Sequence, residues 1–274
     1  MGRLSQLHGT AFVSGASNGL GRAFARMLLA EGVRVWGTSR DPARLAGVLE
    51  RRPGQFYPVR LDLSSPRDAV SAYEGAAEEA GGAFDLVVNN AGYGVFGEFG
   101  AVAPDVWRAQ IESMLGATLS ISHGAYRSMK AHNRGCLVHV SSIAAEFPLP
   151  FMSGYNMAKA GLSALSESLM FESCGTGVRV IDFRPGDYRT DFNRSMPKDH
   201  VNENTRRAWG CLEANLAAAP EPEKAALDLR RALLKNRSGV VRSGSFFQAR
   251  LAPLLARMGP DSLVRWALAR YFRA

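Results

Sequence analysis

The segment TAFVSGASNGLGRAFARMLLAEG, residues 10–32, joins a short apolar run to a glycine-rich turn and then to a helical pattern. Gly15, Gly19 and Gly21 form the pattern Gly-x-x-x-Gly-x-Gly, and the helical pattern closes on Gly32 as a helix C-cap does. Glycines permit a tight turn and let backbone N–H groups approach a pyrophosphate, which the positive end of a helix dipole also attracts. The segment therefore predicts a strand, a nucleotide-binding turn and a helix, with an ordinary glycine-rich turn as the alternative.

Short β-rich runs alternate with helical stretches beyond this segment. The candidate strands are residues 10–15, 34–40, 56–63, 84–90, 135–142 and 178–186, with 239–244 as a further one. Alternating strands and helices favour a parallel sheet that is covered on both faces. We therefore predict an α/β fold in one domain over residues 1–274, with a doubly wound parallel β-sheet of the Rossmann type.

The composition is that of a globular protein, with 46% hydrophobic and 21% charged residues among 274. We expect neither a transmembrane helix nor a secretory signal, because no apolar run is long enough for either. The three cysteines are far apart and form no Cys-x-x-Cys pair. This pattern favours a reduced, cytoplasmic protein without disulfides or a metal site.

The net charge of +8 is concentrated near the C-terminus. From Lys235 onward the chain has eight basic residues and one acidic residue, Asp261, so the rest of the chain is nearly neutral. A local excess of this kind indicates a C-terminal feature and argues against a general nucleic-acid-binding surface.

The stretch SGYNMAKAGL, residues 153–162, places Tyr155 and Lys159 four positions apart on a predicted helix. Residues at this spacing share one helix face, and an adjacent ammonium lowers the pKa of a phenol. The pair predicts a tuned proton donor, with an ordinary surface pair as the alternative. Ser142 ends the fifth strand, where ligands of open α/β sheets bind, while Ser141 should point to the opposite side.

The end of the second strand carries Ser39 and Arg40, about twenty residues after Gly21, where an acid binds the ribose in NAD enzymes. An arginine there can hold a 2′-phosphate through paired hydrogen bonds. The sequence thus favours NADP(H), while NAD(H) stays open because Asp41 could pair with Arg40 or cap the next helix.

Together these motifs resemble the short-chain dehydrogenase/reductase family over residues 8–192. The resemblance rests on the glycine turn, LD at 61–62, NNAG at 89–92, Ser142 with Tyr155 and Lys159, and PGDYRT at 185–190. It implies a conserved core over 8–192, and substrate loops with a C-terminal region over 193–274.

The resemblance implies that Tyr155 is the general acid in reduction and the base in oxidation, that Lys159 lowers its pKa and holds the nicotinamide ribose, and that Ser142 binds the substrate oxygen. The implied cofactor-binding residues are Gly15, Ser17, Asn18, Gly19, Leu20, Gly21, Ser39, Arg40, Asp62, Leu63, Asn89, Ala91, Gly92, Tyr155, Lys159, Pro185, Gly186, Tyr188 and Thr190.

Three positions depart from the family pattern. Ser113 stands where the family usually has a catalytic asparagine, which supports a water chain to the lysine largely through its backbone carbonyl. Serine keeps that carbonyl, so we expect activity to survive. Ser14 replaces a threonine and keeps the hydroxyl, and Tyr188 replaces a smaller residue and is expected to narrow the pocket beside the carboxamide.

The loops predicted to face the substrate are apolar and aromatic, which favours a hydrophobic substrate. The expected substrate contacts are Ser142, Phe147, Phe151, Tyr155 and Phe192. The most plausible activity is NADP(H)-dependent interconversion of a ketone or aldehyde and an alcohol, in a homodimer or homotetramer. The alternatives are an NAD-dependent alcohol or steroid dehydrogenase and a non-catalytic dinucleotide-binding sensor.

The C-terminal tail, about residues 246–274, is basic and amphipathic. On a helical wheel of residues 263–274, one side carries Val264, Ala267, Leu268, Tyr271 and Phe272, and the other carries Arg265, Arg270 and Arg273. Three interpretations compete: packing on its own domain or a second subunit, a roof over the substrate cleft, and peripheral contact with an anionic membrane.

Overall fold

Seven parallel strands make one sheet in the part of the chain that the computed structural model describes, residues 3–49, 54–193, 196–198, 202–258 and 260–272. The strands are β1 Thr10–Val13, β2 Arg34–Ser39, β3 Phe56–Arg60, β4 Leu86–Asn89, β5 Gly135–Val140, β6 Val178–Pro185 and β7 Gly239–Ser243. Each lies within one of the runs predicted from the sequence. Their order in the sheet is β3-β2-β1-β4-β5-β6-β7.

Helices cover both faces of this sheet. They are α1 Arg3–Leu7, α2 Gly19–Ala30, α3 Ala46–Leu49, α4 Pro66–Ala80, α5 Pro104–Ile111, α6 Ala117–Ala131, α7 Ser153–Glu172, α8 Glu203–Ala217, α9 Pro222–Leu234, α10 Ala252–Met258 and α11 Asp261–Phe272. One apolar cluster contains Phe24 of α2 and Leu229 of α9. A second contains Tyr73 of α4, Ile121 of α6 and Leu169 of α7. The predicted doubly wound architecture is therefore confirmed.

The strand order reverses between β1 and β4. β1 pairs with β2 on one side and with β4 on the other, so the chain crosses from one half of the sheet to the other at this point. In open α/β sheets the crevice outside the carboxyl ends of such strands is the ligand site. The glycine turn follows β1, NNAG ends β4, and Ser142 follows β5, so these motifs meet at one edge of the sheet.

The C-terminal helix α11 packs on its own domain. Phe272 is buried, and Leu268 packs against the same apolar cluster, which also contains Met152 and the half-buried rings of Tyr155 and Phe192. Leu268 and Phe272 of α11 therefore pack on their own domain, which was one of the competing interpretations of the tail, and a roof over the substrate cleft stays a prediction. Among the described residues, no helix combines the length and apolarity needed to cross a bilayer.

Candidate active site

The turn between β1 and α2 requires glycine at residues 15, 19 and 21. Gly15 and Gly19 have φ values of +70° and +50°, in the left-handed region that favours glycine. A Cβ atom on Gly21 would lie 2.1 Å from the Gly15 carbonyl oxygen, which is shorter than any real contact. The turn therefore holds α2 tightly against β1 and keeps a backbone cradle at the helix N-terminus, where Asn18 is the N-cap. This geometry fits a pyrophosphate.

Ser14 and Asn90 join this turn to the NNAG motif. The Ser14 hydroxyl accepts hydrogen bonds from the backbone N–H groups of Asn90 (2.9 Å) and Ala91 (3.0 Å), so the serine does keep the hydroxyl's role. Asn90 Nδ2 donates to the Ser14 carbonyl at 3.0 Å. Asn89 instead points into the core and donates to Ser122 Oγ at 3.0 Å, which leaves only its backbone near the crevice.

Ser142, Tyr155 and Lys159 come together at the carboxyl end of β5. Lys159 Nζ donates to the Val140 carbonyl at 2.7 Å and lies 5.7 Å from the centroid of the Tyr155 ring. Ser142 Oγ accepts the N–H of Ala144 at 3.0 Å and donates to the Pro185 carbonyl at 3.4 Å, and it lies near enough to the Tyr155 hydroxyl to lower the pKa of that group. The sequence prediction that these three side chains form one group is thus consistent with their placement.

Burial dominates the electrostatics of this group. It raises the pKa of Tyr155 to about 12, against a hydrogen bond with Ser142 that lowers it, while the charge of Asp187 raises it further. Burial also lowers the pKa of Lys159 to about 8, opposed by Asp182. Burial therefore outweighs the other influences on the Tyr155 pKa in the protein alone, and the lowering of that pKa by Lys159 together with the oxidised nicotinamide stays a prediction.

The arrangement can bind an oxygen with two hydroxyls and move a proton to it, beside a nucleotide cradle. The sequence model of the short chain dehydrogenase family matches residues 9–201. The chain belongs to the short-chain dehydrogenase/reductase family. It is accordingly an NAD(P)-dependent oxidoreductase.

Relatives of this short-chain dehydrogenase/reductase agree with that assignment. The 3-oxoacyl-(acyl-carrier-protein) reductase FabG of Salmonella typhimurium is 30% identical over 189 residues, 69% of this chain and 77% of that protein. A short-chain dehydrogenase from Streptomyces avermitilis superposes with a TM-score of 0.82 at 25% identity, covering 93% of this chain and 96% of that one. A metagenomic short-chain oxidoreductase, solved in complex with NADP, has a TM-score of 0.68 at 29% identity, covering 87% and 99%.

Ser113, at the fourth catalytic position of the family, lies in a π-helical turn at Glu112–Gly116 between α5 and α6. Such turns are rare and occur often at functional sites. The buried Ser113 hydroxyl donates to the Gln110 carbonyl at 3.2 Å within its own helix. The side chain is thus engaged locally, and the role assigned to its backbone carbonyl stays a prediction.

In the segment after β6, the side chain of Tyr188 does not lie where the sequence predicted. Tyr188 is buried in the core and its hydroxyl bonds with Ser243 Oγ at the end of β7, so it does not narrow the pocket. The prediction for Tyr188 fails because the path of the chain after Gly186 turns this side chain toward the core, and that path cannot be read from the sequence. Asp187 instead lies near Tyr155, and Gln248 Nε2 donates to its carboxylate at 2.6 Å. The sequence carried no signal for this link between residues 61 positions apart.

The predicted adenine end is more open. Ser39 is buried at the end of β2, whereas Arg40 is exposed. Asp41 accepts the Ala43 N–H at 3.0 Å and caps the short 3₁₀ turn Pro42–Leu45, so capping is the observed role of this acid. The pKa of Asp62 is lowered, first by a hydrogen bond from the Ser64 backbone and also by the charge of Arg40, which places Arg40 and Asp62 in one neighbourhood.

The predicted substrate side is aromatic. The Tyr155 and Phe192 rings are 5.6 Å apart, edge to face, and Phe151 packs in the same cluster. Phe151 has a φ of +60°, a strained conformation for a bulky residue and one that is concentrated at functional sites. Phe147 is half-buried and does not belong to this cluster, which leaves its predicted contact with substrate without support from the packing.

A buried ionic network lies next to the group formed by Ser142, Tyr155 and Lys159. Arg184 Nε contacts Asp182 Oδ2 at 2.7 Å, and its two Nη atoms contact Glu146 at 2.5 Å and Glu167 at 2.7 Å. Ser141 bonds with the Asp182 carboxylate, so it does point away from the crevice as predicted. Because Glu146 follows Ser142 in the same loop and Glu167 lies on α7, Arg184 joins the elements that carry Ser142 and Tyr155.

Proposed function

We propose that this protein interconverts a ketone or aldehyde and an alcohol with NADP(H), using Tyr155 as the general acid and base. The observation that carries the proposal is the placement of the Ser142 hydroxyl near enough to the Tyr155 hydroxyl to lower its pKa, with Lys159 Nζ 5.7 Å from the centroid of the Tyr155 ring. The raised pKa keeps the phenol protonated at neutral pH, so it is ready to donate to a carbonyl oxygen. NADP(H), when bound, supplies or accepts the hydride.

Ser142 and Lys159 stabilise the negative charges that develop during reduction, on the substrate oxygen and on Tyr155 respectively. The Ser142 hydroxyl donates to that oxygen and stabilises its negative charge. Lys159, held by the Val140 carbonyl, is cationic at neutral pH because its pKa is about 8. Its ammonium favours the phenolate that remains once Tyr155 has given up its proton.

The preference for NADP(H) rests on Arg40. Its guanidinium is exposed beside Asp62 at the end of β2, and Asp41 is occupied as a cap. We expect Arg40→Ala to weaken NADPH binding about tenfold or more and NADH binding hardly at all, since a charge-assisted hydrogen bond contributes about 1.5–3 kcal/mol. Fluorescence titration of both nucleotides measures this, with the exposed Arg108→Ala as control. Equal weakening of both would remove the argument for NADP(H).

The substrate class is supported by the apolar cluster around Tyr155, which contains Phe151, Met152 and Phe192. We propose a hydrophobic carbonyl compound of lipid, steroid or aromatic type. The test is a screen of NADPH consumption over ketones of graded chain length and ring size. Rates that rise with apolar size support the proposal, and a preference for small polar ketones contradicts it.

The alternatives differ in what the same screen shows. An NAD-dependent alcohol or steroid dehydrogenase would give higher initial rates with the unphosphorylated cofactor. A dinucleotide sensor would bind cofactor in the titration and oxidise it with no carbonyl compound. The homodimer or homotetramer, a cytoplasmic location and peripheral membrane contact stay predictions.

A further inference from the structure

A basic groove lies beside the edge strand β7. It has a volume of about 630 Å³ and is bounded by α9, by β7 and by residues 244–250. Its charged lining residues are Lys224, Asp228, Arg231, Lys235, Arg237, Arg242 and Arg250. Six of these seven side chains are cationic, so the groove has a strongly positive potential.

The single acid in the groove is already neutralised. Asp228 contacts Lys224 at 3.0 Å and Arg231 at 3.0 Å, and Arg242 is paired with Glu146 at 2.8 Å. The remaining cations, Lys235, Arg237 and Arg250, are exposed and form no ion pair with any residue that the structure describes. These three charges are therefore available to an external anion.

An exposed apolar strip lies on residues 247–255, which overlap in sequence with the segment that bounds the groove. Phe247, Leu251, Leu254 and Leu255 recur at the i, i+4, i+7, i+8 spacing of one helix face, and their exposure ranges from 37% to 56%. Phe246, which is 77% exposed, lines the groove itself. Pro253 is buried on the opposite side, so this strip faces outward. Adjacent exposed apolar side chains of this size mark an interaction surface rather than an ordinary one.

The positive charge together with the exposed apolar side chains favours an anionic bilayer over a second copy of the chain as the binding partner. A second copy of the chain docking through the same face would bring two positive grooves together, which is unfavourable. An anionic bilayer offers headgroup charge to the lysine and arginines and hydrocarbon to the phenylalanines and leucines. This surface uses the first part of the basic tail, whereas Leu268 and Phe272 of α11 in its second part pack on the domain.

We propose that the basic groove and the apolar strip at Phe246–Leu255 form a docking surface for anionic phospholipid membranes. Membrane docking is independent of the proposed carbonyl reaction and goes beyond it. Because α10 leads into α11, whose Phe272 packs in the same cluster as Tyr155, the surface lies on the segment that is predicted to cover the substrate cleft.

Vesicle flotation of the full chain tests the proposal. We expect the protein to float with vesicles of phosphatidylcholine mixed with phosphatidylglycerol, to float poorly with phosphatidylcholine alone, and to be released by high salt. The triple variant Lys235→Ala, Arg237→Ala, Arg250→Ala should bind about a hundredfold more weakly, since each charge contributes about 1 kcal/mol near such a surface. The variant Leu254→Ser, Leu255→Ser should also lose binding.

A matched control separates the surface from net charge. Arg44→Ala, Arg67→Ala, Arg127→Ala removes three exposed charges elsewhere and should float like the unaltered protein. Equal recovery with and without anionic lipid, or equal losses in both triple variants, would overturn the proposal. So would sedimentation showing that Leu254→Ser, Leu255→Ser turns an oligomer into monomers, or inorganic phosphate at low concentration abolishing all binding. The turnover of a water-soluble ketone by the variants tests the proposed reaction separately.

Discussion

Removal of the Arg184 guanidinium should destabilise the protein more than any exposed charge substitution. The Arg184 side chain is 8% exposed and contacts the fully buried Asp182 carboxylate at 2.7 Å. Arg184→Met would leave that carboxylate buried without its cation. Breaking a buried pair in this way costs about 3–5 kcal/mol of unfolding free energy. The same change at Arg108, whose pair with Asp105 is largely exposed, should cost less than about 1 kcal/mol.

Urea unfolding followed by circular dichroism measures both variants. A cost of Arg184→Met within about 1 kcal/mol of the Arg108→Met value would refute the reasoning. The double variant Asp182→Asn, Arg184→Met provides a second check, because it removes both charges of this buried pair. It should be less destabilised than the two single variants together, since residues in contact are not additive.

Two further variants follow from the site. Gly21→Ala places a Cβ 2.1 Å from the Gly15 carbonyl oxygen and should weaken NADPH binding about tenfold or more in a fluorescence titration, whereas Gly75→Ala, which meets nothing within 4 Å, should not. Lys159→Met should lower turnover yet stabilise the fold by about 3 kcal/mol at pH 7 in urea unfolding. A lysine whose folded pKa is lowered to about 8 destabilises the fold fully below that pH and not at all above about pH 10.4, its unfolded value, so the stability gain should disappear as the pH rises through this window. A gain that persists at high pH would contradict it.

The elements were predictable because they repeat locally encoded patterns. The run before Gly15 is apolar, the stretch after Gly19 has helical periodicity, and Gly32 has the positive φ of a helix end. The grouping of Ser142, Tyr155 and Lys159 follows from helix spacing together with the convergence of parallel strands at one edge. Each of these inferences needs only neighbouring residues and a known architecture.

What the sequence did not reveal depends on side-chain directions and burial, which only the folded structure determines. Tyr188 turns into the core toward Ser243, and the loop after Gly186 carries no alternation that would reveal it. The side chain of Asn89, which the resemblance assigns to the cofactor, points into the core and donates to Ser122, because the pleat at the end of β4 decides which side chain faces inward. The raised pKa of Tyr155 arises from burial by the rest of the fold. The four-residue spacing between Tyr155 and Lys159 carries no information about that burial.

The most direct test of the account is turnover by Tyr155→Phe, measured with NADPH and the best ketone from the screen, with Tyr126→Phe as control. Tyr126 lies on α6, and its hydroxyl has no hydrogen-bond partner among the described residues. The account predicts that Tyr155→Phe binds NADPH normally and loses at least about a hundredfold in kcat, the usual contribution of a positioned acid. Turnover close to that of the unaltered protein would contradict it.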